Sequence, residues 1–395
     1  MTRIDDLSAF ISKNSGVLDE ESGAPLVFWD GYGLGHVYSG IAQHALALSK
    51  SLVALGSPPI LIGGLAACAN FPELDHFLVS GGSVSQAFGG LKFIWPQRVG
   101  RLLQKSLGTG KRHAVIHGLS NFNVPLWPND QRVKRVLTVH DVIPLIEPYG
   151  VSWSYHLQFK ALLGAALRAA DAVICVSDWT RMSLTERYPW VDGKCLVIRN
   201  GLKGKSALAQ VPSRAGRSVE RPHLLFVSRY EAYKNFDLIP EILRLLPKSW
   251  QATVVTDQTG SFYLKKIGSE EVNRGRLFVL TGMSHEELGN IYKSCDVYVH
   301  PSIYEGFCLP VAEALQFGAG IVFQKGSAID EIVQPPVGIG LEPSAKAAEW
   351  AEACEKMLKS SRSDEWVTSI HKHLGNLPTW DSSARKLRIL YNDLG

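Results

Sequence analysis

The chain has 395 residues, 46% of them hydrophobic and 20% charged, with a formal net charge of +4: more apolar material than one core normally serves, and too little positive charge to make nucleic acid the main partner. No run of about 18 apolar residues occurs, and the opening MTRIDDLSAFISKN lacks a signal-like apolar stretch, so a cytoplasmic protein that does not span a membrane is expected. Its six cysteines (Cys68, Cys175, Cys195, Cys295, Cys308 and Cys354) follow no C-x-x-C or metal-ligand spacing and are expected as reduced, mostly buried thiols.

Apolar runs alternate with helical patterns, the signature of doubly wound α/β units. Strands are predicted at 25–30, 58–63, 114–118, 136–141, 172–177 and 195–200, with helices at 41–55, 153–169 and 178–187. A polar stretch, 201–222, rich in Gly, Ser, Lys and Arg, reads as a connection. The rhythm then restarts, with strands at 223–228, 251–256, 276–282 and 296–300 and helices at 236–246 and 284–294. There is no repeat of solenoid length.

Ligands of open α/β sheets bind beyond the carboxyl ends of strands, so the residues that follow each strand matter most. After 25–30 come Gly31, Gly33, Gly35 and Gly40, which do not fit G-x-G-x-x-G, and no acidic residue closes strand 58–63; a nicotinamide cofactor is not expected. His140 and Asp141 end a strand ahead of a Pro144 turn, and Ser177 is placed to cap the helix that follows it. Arg229 and Lys234 flank a strand-to-helix loop where two cations can neutralise a diphosphate. In PSIYEGFCLPVAEALQFG (301–318), Glu305 and Glu313 bracket a predicted helix N-terminus with Pro310 near its first turn. Backbone N–H groups from Gly306 to Val311 would favour a phosphate there. Two carboxylates beside a phosphate suggest a nucleotide sugar, one for sugar hydroxyls and one for a ribose diol.

EGFCLPVAEA resembles the E-x7-E signature of retaining glycosyltransferases of family 4, usually EGFGLPxxEA, with Cys308 in place of the commoner Gly. That replacement suits a loop that does not need positive φ at the position. Ser39-Gly40-Ile41 is similar to the family's Gly-Gly-Ile turn, and FVSRYEAYKN to its Arg-x4-Lys-Asn pattern. The Asn200-Gly201 pair, residues 279–288 and the last segment, 378–394, also match. His-Asp-x-x-Pro (140–144) resembles an element of a mannosyltransferase-rich branch. The resemblance implies a GT-B fold: two Rossmann-like doubly wound domains facing a deep interdomain cleft. The N-terminal, acceptor-side domain would be 1–200, with a helix at about 378–395 crossing back to it, and the nucleotide-sugar domain 201–377. It implies His140, Asp141, Glu305, Arg229 and Lys234 as catalytic residues. It implies Gly40, Arg229, Lys234, Met283, Gly306, Phe307, Cys308, Leu309 and Glu313 as the donor site. The expected reaction is front-face hexosyl transfer with retention, GDP-mannose being favoured over UDP-hexoses, to a glycan or lipid-linked saccharide. No cofactor is expected, and no metal, since no Asp-x-Asp pair is present to chelate one. A catalytically silent nucleotide-sugar-binding protein is the non-enzyme alternative.

From His76 to Asn129 there is no Asp or Glu, while Lys92, Arg98, Arg101, Lys105, Lys111 and Arg112 stand among Phe93, Ile94, Trp95, Leu102, Leu103 and Leu107. Two readings stand side by side: an ordinary helix with a core-facing stripe, or a surface (residues 88–112) that lies on an anionic membrane on its inner face. The second would bring a lipid-linked acceptor with it.

Overall fold

A computed structural model describes residues 3–4, 25–35, 39–78, 91–107, 113–126, 130–146, 152–202, 220–363 and 365–395. The chain forms two compact units, Met1–Gly201 with Thr379–Gly395, and Leu202–Pro378. The strands of the first are β1 (Arg3–Ile4), β2 (Leu26–Asp30), β3 (Ile60–Gly63), β4 (His76–Leu78), β5 (Ala114–Gly118), β6 (Val133–Val139), β7 (Ala172–Cys175) and β8 (Cys195–Val197). They make one sheet in the order β1-β4-β3-β2-β5-β6-β7-β8, every pair parallel.

Parallel strands are covered on both faces, so they read as apolar runs and their alternate residues enter different cores. Phe28 and Ile116 pack with Trp95, Val99, Leu103 and Leu107 of the helix Leu91–Leu107. Their neighbours Trp29 and Val115 pack on the other side with the helices Gly40–Ala54 and Trp380–Leu394. The last helix seats closely enough that a Cβ on Gly201 would lie 2.0 Å from the Trp380 nitrogen, so only glycine fits there.

The second unit holds β9 (His223–Val227), β10 (Gln251–Val255), β11 (Leu277–Leu280), β12 (Val297–His300), β13 (Gly320–Gln324) and β14 (Gly338–Leu341). Their order is β11-β10-β9-β12-β13-β14, again all parallel. In both sheets the order reverses beside the first long strand, between β2 and β5 and between β9 and β12. Such switch points open the crevices in which α/β sheets bind ligands.

Two expectations meet the structure here. The basic segment is a helix, but Trp95, Val99, Leu103 and Leu107 are buried, because their four-residue spacing puts them on one face against the sheet. Arg98, Arg101 and Lys105 stay exposed on the other side of the helix; residues 88–90 and 108–112 and the side chains of 91–94 lie outside what is described. No helix among the described residues is long and apolar enough to cross a membrane. Strand β6 ends at Val139, leaving His140 and Asp141 in the following turn. Asn121 takes over where the ladder stops: its Oδ1 accepts from the His140 N–H at 2.9 Å, and its Nδ2 donates to the Asp141 carbonyl at 3.0 Å. All six cysteines are free and buried.

Candidate functional site

At the switch point of the second unit, two loops are tied by the Ile303 N–H donating to the Tyr233 carbonyl at 2.8 Å. The loop after β9 makes a short 3-10 turn, Ala232–Lys234, closed by Asn235 at φ 53. That turn lays the Lys234 ammonium 4.9 Å from the centre of the Tyr233 ring and sends it to Glu305, donating to Oε1 at 2.5 Å. From the other loop His300, the last residue of β12, donates through Nε2 to the same oxygen at 2.6 Å. Both donors share Oε1, so among the described residues Oε2 is the oxygen left without a protein donor.

Burial works against the Glu305 charge, but the Lys234 ammonium and the His300 hydrogen bond outweigh it and hold the carboxyl down at about 2. For Lys234 burial would lower the pKa, and Glu305 overcomes it and raises it. His300, fully enclosed, has its pKa lowered by burial and is neutral. Since a carboxylate only accepts, the His300 tautomer carries its proton on Nε2. Lys234 and Glu305 are thus a buried ion pair with a neutral third member.

The helix Leu309–Gln316 starts as expected with Pro310 in its first turn, but Cys308 before it sits at φ 75, ψ 74. A loop free of positive φ is the expectation for a cysteine at this position; the loop needs positive φ, which explains why glycine is the commoner residue there. An L-residue in this region costs roughly 1–2 kcal/mol. The Cys308 thiol lies 3.4 Å from Nε2 and 3.8 Å from Nδ1 of His300, and burial drives its pKa well up. His300, Glu305 and Cys308 bring three ligand-type atoms within 4.8 Å of one another, a span a metal ion could bridge. Here the Lys234 ammonium already supplies the positive charge.

Of the other residues predicted for this end, Gly306, Phe307 and Cys308 are buried, and Leu309 is partly so. Glu313 is partly buried beside Tyr292, whose hydroxyl is pushed up first by burial and then by that carboxylate. Met283 is half-buried between Gly282 (φ 66) and the helix His285–Ser294, which Ser284 and Glu287 cap reciprocally. Arg229 stands exposed while Lys234 is nearly enclosed, so the two cations are not equivalent.

In the first unit, Ser39 caps the helix that begins at Gly40, and Ser177 caps the helix Asp178–Arg187. The His140 ring donates Nε2–H to the Leu119 carbonyl at 2.9 Å, at the end of β5, and Asp141 Oδ1 accepts from the Ile143 N–H. The ring of His44 meets that of His140 edge-on, 4.9 Å between centres. His44 Nδ1 lies 2.6 Å from Asn200 Oδ1. Behind them Tyr391 accepts from Trp29 Nε1 at 2.9 Å, so its own proton goes to His117 Nδ1 at 2.6 Å, and His117 Nε2 donates to Thr138 Oγ1 at 2.7 Å. Asp30, ending β2, accepts from Trp95 Nε1 and the Tyr32 N–H, and burial pushes its carboxyl up to about 7.

Sequence reasoning missed His300, Asn121 and the Trp29–Tyr391–His117 chain. A histidine closing the apolar run VYVH just ahead of Glu305 was the one available signal for His300.

The two units correspond to two family models: "Glycosyltransferase Family 4" matches residues 38–203, and "Glycosyl transferases group 1" matches residues 212–371. One component of the phosphatidylinositol N-acetylglucosaminyltransferase of Arabidopsis thaliana is 21% identical over 380 residues, 90% of this chain and 79% of that protein. Each unit thus matches a glycosyltransferase model, and the chain is a glycosyltransferase with the GT-B fold. A serotype-specific mannosyltransferase, WbdA, of Escherichia coli is 23% identical over 215 residues, which is 51% of this transferase but only 26% of WbdA. Among solved structures, a sucrose-phosphate synthase from Thermosynechococcus elongatus superposes with a TM-score of 0.71 at 17% identity, covering 94% of this glycosyltransferase and 99% of that chain. The cluster of Lys234, His300 and Glu305 lies inside the group 1 match, and His140 inside the family 4 match.

Proposed function

We propose that this glycosyltransferase moves a hexose with retention from a nucleotide sugar, GDP-mannose, to a saccharide or lipid-linked saccharide, without a metal ion. The observation that carries the reading is the half-occupied carboxylate: Glu305 is kept ionised and clamped through Oε1, which leaves Oε2 to accept hydrogen bonds from sugar hydroxyls. Exposed Arg229, on the same loop as Lys234, meets the diphosphate, and the start of the helix Leu309–Gln316 adds its dipole. Glu313 takes the ribose diol. Mannose is favoured by the His140-Asp141-x-x-Pro144 element and by similarity to a mannosyltransferase.

In this reading the bond from the anomeric carbon to the phosphate oxygen breaks as the acceptor oxygen approaches on the same face. The acceptor proton passes to the departing phosphate, whose growing charge Arg229 and Lys234 offset. No side chain is asked to form a covalent intermediate.

Thermal stabilisation by a panel of GDP- and UDP-sugars, with and without chelator, tests it, because ligand bound to the native state raises stability by mass action. A shift with GDP-mannose that survives chelator and is lost in Arg229→Ala or Glu313→Ala is expected. A shift with UDP-hexoses alone would replace the donor, dependence on a divalent cation would refute the metal-free reaction, and no shift would favour a silent scaffold.

A further inference from the structure

We propose that His300, wedged by Cys308, is a positioning residue that fixes which oxygen of Glu305 the donor sugar meets, an inference that rests on Glu305 serving the sugar. Lys234 alone cannot do this. Its ammonium ends a flexible stem and can follow either carboxylate oxygen as the group turns, whereas an imidazole N–H has one direction. His300 is the last residue of a central strand, and its ring has neighbours on several sides. The Tyr298 ring lies nearly parallel, 5.9 Å away at 11°, and the Phe226 ring meets it at 68° and 5.5 Å. The sulfur of Cys308 is close to both ring nitrogens, 3.4 and 3.8 Å, which places it alongside the ring rather than end-on to one nitrogen. Held in this way, the Nε2–H points at Oε1, the nearer partner at 2.6 Å against 3.4 Å for the sulfur, and Oε2 is presented in one orientation.

This gives the unfavourable backbone at Cys308 a reason. Glycine would take φ 75 without strain but would leave that flank of the imidazole open. Cysteine is small enough for the turn and large enough to hold the ring. The ionisable groups facing Glu305 are Lys234, His300 and Cys308, with Tyr298 behind them.

The test compares His300→Leu, His300→Gln, Cys308→Ala and Cys308→Gly in the full chain, by donor kinetics and by ¹³C NMR of the Glu305 carboxyl. In His300→Leu, kcat is expected to fall about 10- to 100-fold with donor KM within about 3-fold, the signature of a displaced rather than missing group. His300→Gln, whose side-chain N–H can reach the same oxygen, is expected to recover most of that loss. The Glu305 carboxyl, held at about 2 in the parent, is expected to titrate higher in His300→Leu. That readout stands without turnover, so a protein inactive toward every donor would sink the proposed function and leave this inference still decidable. Both Cys308 variants are expected to lose kcat about 3- to 10-fold, while Cys308→Gly melts above Cys308→Ala because alanine keeps the strained φ. Equal kcat in His300→Leu, or an unmoved carboxyl, overturns the role of His300. Unchanged kcat in Cys308→Ala overturns the wedge. Stoichiometric Co²⁺ binding with a thiolate charge-transfer band, lost in Cys308→Ala, would make the trio a metal site instead.

Discussion

The crevice beside β9 and β12 is built on charge, whereas the one beside β2 and β5 is built on neutral hydrogen bonds. Lys234 and Glu305 remain ionised although nearly enclosed, because each is the other's counter-charge. His44, His117 and His140 are as deeply placed but have mainly one another for company. Burial lowers all three, His117 to about 3 and His140 to about 4, and the charge of a neighbouring histidine lowers His44 and His117 further. The same depth therefore yields opposite chemistry, and the deciding variable is the sign of the nearest ionisable group. On the proposed function the first suits the diphosphate and hydroxyls of a donor; the second presents oriented imidazoles that stay uncharged.

The hardest test of that contrast is to remove one member of the pair. Glu305→Gln is expected to lower kcat by about 10² to 10³ and, by stranding the Lys234 ammonium, to destabilise the second unit by about 3–5 kcal/mol. Steady-state kinetics and urea unfolding read the two effects. Adding Lys234→Met should restore part of the stability and none of the rate, and additive losses in the double variant would show that the pair is not coupled.

Acid should separate the units next. A histidine whose folded pKa is depressed leaves the unfolded chain binding more protons, so its stabilisation is complete above about 6.5 and is lost as pH falls toward the folded value. For His117 and His140 that window runs from about 6.5 down to about 3 and about 4. Asp30 acts the other way, since its raised carboxyl gains as pH falls below about 7, but it is one group against three. In the second unit His223 and His300 lose stability in the same sense as the three histidines. Glu305 contributes fully above its ordinary value of 4.5 and fades only toward about 2. Hydrogen exchange between pH 6.5 and 4.5 is expected to show protection lost first in β5 and β6; earlier loss in β9 and β12 would reverse the comparison.

The smallest effect sharpens the neutral end. Tyr391→Phe removes the hydroxyl that joins Trp29 to His117, leaving a buried N–H and a buried ring nitrogen unpaired, at about 1–3 kcal/mol. Thermal unfolding with no change in donor affinity is the expected pattern, and a wild-type melting temperature would mean that the network carries no stability.

Much of the donor end could be read from the residues, because its signals are local. The apolar VYVH run, the glycine-containing loop and Pro310 lie within a few residues of Glu305, and Lys234 follows a strand in the same way. What could not be read depends on distance or on backbone angles. Lys234 and Glu305 are 71 positions apart, so their pairing appears only when β9 and β12 become neighbours. The left-handed turn at Cys308 hides behind a residue that ordinarily avoids it. β14 escaped because glycine interrupts GIGL, yet a Cβ on Gly338 would come within 2.1 Å of Val333. In the first unit, the four-residue spacing of Trp95, Val99, Leu103 and Leu107 made the core-facing stripe of the helix Leu91–Leu107 legible, while the missing acids say nothing of which face is buried.

Trp29 and Tyr391 are separated by 362 positions, and between them the chain must produce the whole second unit. On the ribosome, β2, β5 and β6 therefore emerge with His117 and Trp29 lacking the hydroxyl that will satisfy both, and that partner arrives only after the whole second unit has been made. The first unit to be synthesised is accordingly completed only after the second has been made, and its assembly waits on the helix Trp380–Leu394, a delay in which its sheet must stay competent to receive it.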